Sequence, residues 1–115
     1  MTEPLIDPAT FRELQETAGA DFVKELVAAF LEEAPVMLAD MRAALAAKEA
    51  ERFRRAAHSL KGNCNTFGAL GLAAMAKDLE LGGLDRALAA GPQAIDRLAQ
   101  EYARVAAALT ELAHA

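Results

Sequence analysis

At 115 residues the chain is long enough for one domain with a single core and no covalent staples. Its 54% hydrophobic content is rich in alanine and poor in β-branched and aromatic residues, which disfavours a sheet and points to an all-helical bundle. A net charge of −5 argues against a nucleic-acid binder, and the one cysteine rules out an internal disulfide and suits a reducing cytoplasm. No apolar run approaches the ~18 residues that a membrane span needs. Met1 to Pro4 lack the basic and apolar regions of a signal peptide, so the expectation is a soluble cytoplasmic protein. Met1 and a capped first helix favour a free-standing chain, a single domain over 1–115.

The first helix has a clear start. Asp7 can cap it, Pro8 suits its first position, and Phe11 and Leu14 give it an apolar edge, until Ala18-Gly19-Ala20 breaks it. Asp21 is a second plausible cap, with Phe22, Leu26, Ala29 and Phe30 as the buried stripe that follows. Pro35 predicts a kink or short break near Ala34, after which Met37, Leu38, Met41 and Leu45 carry the pattern to about Ala47. Lys48-Glu49-Ala50 turns the chain into a central helix over about 51–67. Gly68 and Gly71 mark a tight reversal into a fourth helix over about 70–81. Gly82-Gly83 weakens that helix, and Leu84 to Ala90 can add a turn or two. Pro92 opens the last helix, whose stripe is Ile95, Leu98, Tyr102, Val105, Leu109 and Leu112. The predicted fold is an antiparallel four-helix bundle with a short additional N-terminal helix as a lid.

In the central helix Phe53, Ala57, Leu60, Cys64 and Phe67 recur at spacings of four and three, one buried stripe. At about 100° per residue, His58 falls roughly 140° from the centre of that stripe and faces water. Arg54 lies one turn before it, Lys61 and Gly62 one turn after, and Asn65 beyond. An exposed histidine among charged residues is by itself an ordinary wet helix face. Gly62 is less ordinary, because a mid-helix glycine costs about 1 kcal/mol relative to alanine. One reason to keep it is that something large must approach there.

Ala57-His58-Ser59-Leu60-Lys61-Gly62, followed by Gly68, Leu72 and Leu79-Glu80, resembles the signature of histidine-containing phosphotransfer (HPt) domains. Leu5 to Phe11, Phe22 to Leu31 and Tyr102 to Leu109 also resemble that family's opening, second and last helices, so the likeness covers nearly the whole chain. The resemblance implies a carrier that accepts a phosphoryl group on His58 from an aspartyl-phosphate receiver domain and passes it to another receiver. It implies partners among response regulators and hybrid histidine kinases, with Mg²⁺ supplied by the receiver and no cofactor of the chain's own. A reversal centred near Ala69 independently brings Glu80 level with His58 and Lys77 level with Lys61. Glu80 can then orient the imidazole, the part a carboxylate or amide plays at this position in the family. Lys77 reads as an ordinary surface lysine.

Residue chemistry fits that assignment. Neutral imidazole is abundant at pH 7 and can attack phosphorus, and Lys61 can stabilise the resulting charge. Arg54, Arg55, Gly62 and Asn65 are the expected partner-binding residues, the arginines by steering an acidic site and the glycine by leaving room. The chain has no GxxxxGK[ST] loop and no Mg²⁺-binding carboxylate cluster, so it is expected neither to bind ATP nor to phosphorylate itself. It is expected to be a monomer. Two other classes compete. A histidine-kinase dimerisation domain commonly carries an acidic residue directly after its histidine, where Ser59 stands here. A non-catalytic helical adaptor that binds receivers would have no use for the intact run from Ala57 to Gly62. His114, in a terminal tail, and Cys64, in the buried stripe, make a poor metal pair.

Overall fold

The computed structural model describes residues 5–114 and contains five helices: α1 Pro8–Ala18, α2 Ala20–Ala47, α3 Ala50–Phe67, α4 Leu70–Ala90 and α5 Gln93–Ala113. Met1 to Pro4, read above as no signal peptide, lie outside the described residues. Helices α2 to α5 pack in cyclic order, each against its neighbours in sequence, and α5 closes the ring against α2. This is the expected four-helix bundle. The most extensive packing is between α3 and α4. Buried alanines on both helices, Ala57 on α3 and Ala73 and Ala76 on α4, permit close approach.

Helix α1 lies against α2 and α3 and ties the chain start to the α3–α4 turn. Asp7 caps it by accepting from the Thr10 amide at 3.2 Å, while the Asp7 amide donates to the Gly68 carbonyl at 2.8 Å. The helix starts at Pro8, so Leu5 to Asp7 precede it rather than forming its first turn. Two turns share one hydrogen-bond scheme. Glu49 N–H donates to Ala44 and Lys48 N–H to Leu45; Ala69 N–H donates to Cys64 and Gly68 N–H to Asn65. Both are Schellman endings, with a left-handed residue closing the helix. Gly68 suits that place at φ 80°, and a side chain there would also strike Thr10. Lys48 adopts φ 58° without glycine's freedom.

Three expectations about α2 need correction. Asp21 is not the cap: the helix begins after Gly19, and Asp21 sits in the first turn, where its charge faces the positive helix end. The buried stripe runs through Val23, Val27, Phe30, Ala34, Leu38, Met41 and Ala44, leaving Phe22 50% exposed. The bulk of Phe22 set the predicted phase one residue early. Finally, the helix is continuous through Pro35. Proline cannot donate to the Leu31 carbonyl one turn back, and the Tyr102 hydroxyl, at 3.5 Å, faces that carbonyl from α5.

The stripe predicted for α3 is buried at all five positions. Phe67, at its end, stacks at 5.3 Å on Phe30, which meets Tyr102 edge-on at 5.8 Å, joining α2, α3 and α5. Helix α4 extends to Ala90 but leaves helical geometry at Gly83 (φ 74°), the discontinuity that Gly82-Gly83 foreshadowed. In α5 Ile95, Leu98, Val105 and Leu109 of the expected stripe are buried and Tyr102 is half-buried, while Leu112 is exposed and Ala113 is buried in its place.

Candidate functional site

Burying Phe53, Ala57, Leu60 and Cys64 forces the opposite face of α3 outward, and the His58 side chain is 60% exposed there. The α3–α4 hairpin brings Glu80 alongside. His58 Nδ1 lies 2.8 Å from Glu80 Oε2, and Lys61 Nζ lies 2.8 Å from Glu80 Oε1. One carboxylate thus bridges the imidazole and the ammonium. Its side chain is only 11% exposed, against 25% for Lys61. The Lys61 contact first, and the His58 hydrogen bond second, hold the Glu80 carboxyl below the usual carboxylate range. An ionised carboxylate only accepts hydrogen bonds, so the contact is satisfied when the imidazole proton resides on Nδ1. That leaves the Nε2 lone pair free.

The predicted register holds for His58 and Glu80, and Lys61 and Lys77 line one depression as it implies, but Lys61 also reaches across to Glu80. Helical side chains lean toward their own N-terminus. In an antiparallel pair this tilts Lys61 back toward the level of His58 and Glu80 forward toward the level of Lys61, so the two long side chains meet between.

Space beside the histidine is open. A Cβ added at Gly62 would meet nothing within 4 Å, so no packing inside the chain requires glycine there. The mediocre helix formers around it are tied to the helix by their own side chains: Asn63 donates to the Ser59 carbonyl and Thr66 to the Gly62 carbonyl, each at 3.1 Å. Arg54 and Arg55 are exposed but committed. Arg54 Nε and Arg55 Nε lie 3.2 and 3.3 Å from Glu51, whose carboxyl is held below its usual range chiefly by Arg54. Asn65 is exposed on the α4 side of the face, lining a shallow depression of about 240 Å³ with Lys61 and Lys77. Cys64 is buried, and desolvation pushes its thiol up to about 12, so it stays protonated at neutral pH.

The sequence reading missed the bridging of Lys61 to Glu80 and the exposed row Leu70, Ala74, Lys77 and Leu81 on α4. Its spacing of four, three and four was there to be found, but such spacing ordinarily signals burial.

A family model, Hpt domain, matches residues 25–108. The chain belongs to the Hpt domain family. The match takes in α3 and α4 whole, with His58, Lys61, Gly62 and Glu80 inside it. A solved Hpt structure, the histidine-containing phosphotransfer protein B (HptB) of Pseudomonas aeruginosa PAO1, superposes with a TM-score of 0.87 at 29% identity, covering 98% of this chain and 97% of that one. No curated protein sequence matches the chain. As an Hpt domain, this is a histidine phosphotransfer protein of the kind that works with receiver domains in phosphorelays. None of its helices is long and apolar enough to cross a membrane among the described residues.

Proposed function

We propose that His58 is the phosphoryl acceptor, taking the group from an aspartyl phosphate on one receiver domain and giving it to an aspartate on another. The observation that carries this reading is the exposed imidazole with Nδ1 engaged by Glu80 and open space over Gly62. The Nε2 lone pair attacks phosphorus, the N–P bond forms, and the acyl P–O bond breaks, leaving the receiver's aspartate as carboxylate. No proton has to move. The imidazole becomes a cation still protonated on Nδ1, and Glu80 offsets that charge. The reverse path regenerates neutral His58 when a second aspartate takes the group.

Lys61 acts at the product. The phosphoryl group brings about two negative charges within roughly 6 Å of its ammonium, an attraction on the order of 1–3 kcal/mol in a mostly aqueous dielectric. Lys61 then turns from Glu80 toward the phosphoryl oxygens while Glu80 keeps the imidazolium. Transfer depends chiefly on positioning and charge neutralisation, and the receiver supplies the Mg²⁺ and the second reactive group. Arg54, Arg55, Gly62 and Asn65 form the surface the receiver meets. The chain acts as a monomer in the cytoplasm.

Incubation with a receiver domain phosphorylated by acetyl phosphate tests this. The chain should acquire an alkali-stable, acid-labile phosphate, and His58→Gln should abolish it while leaving the circular dichroism melt unchanged. A folded His58→Gln variant labelled at the normal rate would contradict the assignment.

A further inference from the structure

Two cations flank His58 on the α4 side of α3, and in the free chain both rest on carboxylates. Lys61, one turn after the histidine, rests on Glu80. Arg54, one turn before it, rests on Glu51, with Nε 3.2 Å from Oε2 and Nη2 on Oε1. Each carboxylate has a second partner: Glu80 also meets His58, and Glu51 also accepts from Arg55 Nε at 3.3 Å. Either cation can therefore leave without orphaning the carboxylate behind it. Glu51, Arg54 and Arg55 are all exposed, and exposed ion pairs of this kind hold weakly.

Placement around α3 separates the two arginines. At about 100° per residue, Arg54 lies roughly 40° and Lys61 roughly 60° from His58 in the same direction, toward α4. Arg55 lies about 60° the other way and lines the depression toward α2 with Met37 and Ala56. Glu51, about 20° from His58, stands between the arginines and so holds both. Side chains four residues apart on a helix have Cβ atoms about 5–6 Å apart. A helical side chain leans toward its helix N-terminus, which carries His58 over the turn that bears Arg54. A phosphoryl group on Nε2 thus comes within the sweep of that guanidinium. The charges agree: Glu51 chiefly, and Glu80 across the site as well, hold the Arg54 guanidinium above its usual range.

We propose that Arg54 is a second phosphate-binding residue, which leaves Glu51 for the phosphoryl oxygens once His58 is loaded, and that Glu51 is the positioning residue that sets how readily it leaves. This rests on His58 being the acceptor. A guanidinium offers paired N–H donors that match a phosphoryl group. With Lys61 it would hold the new dianion from both sides, one turn before and one turn after. In the loose transition state for loss of the group, electrons return to the imidazole and negative charge on the phosphoryl oxygens falls. Cations on those oxygens therefore stabilise the loaded state more than the transition state. Arg54 favours loading and slows loss to water.

The test is the equilibrium partition of the phosphoryl group between the chain and a receiver labelled by acetyl phosphate. It is run dilute enough that the two proteins are apart, so docking contacts cancel from the constant. Arg54→Gln should shift the partition about three- to tenfold toward the receiver, as loss of a unit charge a few ångströms away does in a mostly aqueous dielectric. It should shorten the lifetime of the isolated phosphorylated chain by a similar factor. Glu51→Gln should move both quantities severalfold the other way, because Arg54 then starts unbound. In the Arg54→Gln background, Glu51→Gln should change them less than about twofold. Arg52→Gln, which removes a cation paired with Asp40, should also stay within about twofold. A purely structural Arg54–Glu51 pair predicts the same sign from both variants. Shifts of one sign would therefore overturn the proposal, as would no shift in Arg54→Gln or an equal shift in Arg52→Gln. A full Glu51→Gln gain without Arg54 would show simple charge removal and overturn the role of Glu51. Failure of any receiver to label the unaltered chain would instead refute the acceptor role itself.

Discussion

Glu80 has two oxygens and spends each on a different cation, Oε2 on His58 and Oε1 on Lys61. Its folded-state pKa is lowered, so its contribution to stability is present above the unfolded value of 4.5 and is lost as pH falls through the lower folded value. Acid titration followed by circular dichroism should therefore show the unaltered chain losing stability below about pH 4.5 more steeply than Glu80→Gln, the two converging at lower pH. Parallel curves would mean that the bridge adds nothing to folding. The same variant should slow labelling about tenfold, the usual cost of removing a group that orients a functional histidine. The pairing of His58 with Glu80 was legible before any coordinates, because a hairpin's register follows from where its turn lies. Lys61 was not, because its partner depends on side-chain lean and reach, which residue numbers do not carry.

At the scale of elements, turns were easier to read than phases. Gly68 announced the end of α3, and its backbone at φ 80° with Thr10 close by gives the reason. Gly68→Ala should cost about 1–3 kcal/mol, since alanine must accept a left-handed conformation and also displace α1. Chemical denaturation would read that loss, and no change in the midpoint would refute the close contact between lid and turn. In α2 the large Phe22 outweighed the smaller Val23 and Val27 in the sequence pattern, although it is the valines that are buried. Pro35 predicted a kink or short break with the helix running on to about Ala47; it runs on to Ala47 without a break, and burial of Ala34 and Leu38 on either side outweighs the lost hydrogen bond. Local propensity sets where a helix can stop; packing against α3 and α5 decides whether it does.

Over the whole molecule, the residue list overstated the positive charge at the site. It counted Arg54, Arg55 and Lys61 as a cationic rim, whereas the fold pairs both arginines with the one carboxylate of Glu51 and the lysine with Glu80, so about one positive charge of the three is left. Lys77, set aside as an ordinary surface lysine, is left as an uncommitted charge in the α3–α4 groove. The core of the bundle is separate from the site: it is apolar, and among the described residues no charged or polar residue is buried within it. Helix α3 can therefore present His58 as a fixed, solvent-facing group while the remaining helices hold its level against Glu80. The central claim is that Glu80 occupies Nδ1 and leaves Nε2 to react. The most direct measurement is ³¹P and ¹⁵N NMR of the chain after phosphorylation by a receiver. It should show one phosphoryl group on His58 Nε2, with core resonances unmoved. A phosphoryl group on Nδ1, or on any residue other than His58, would contradict it.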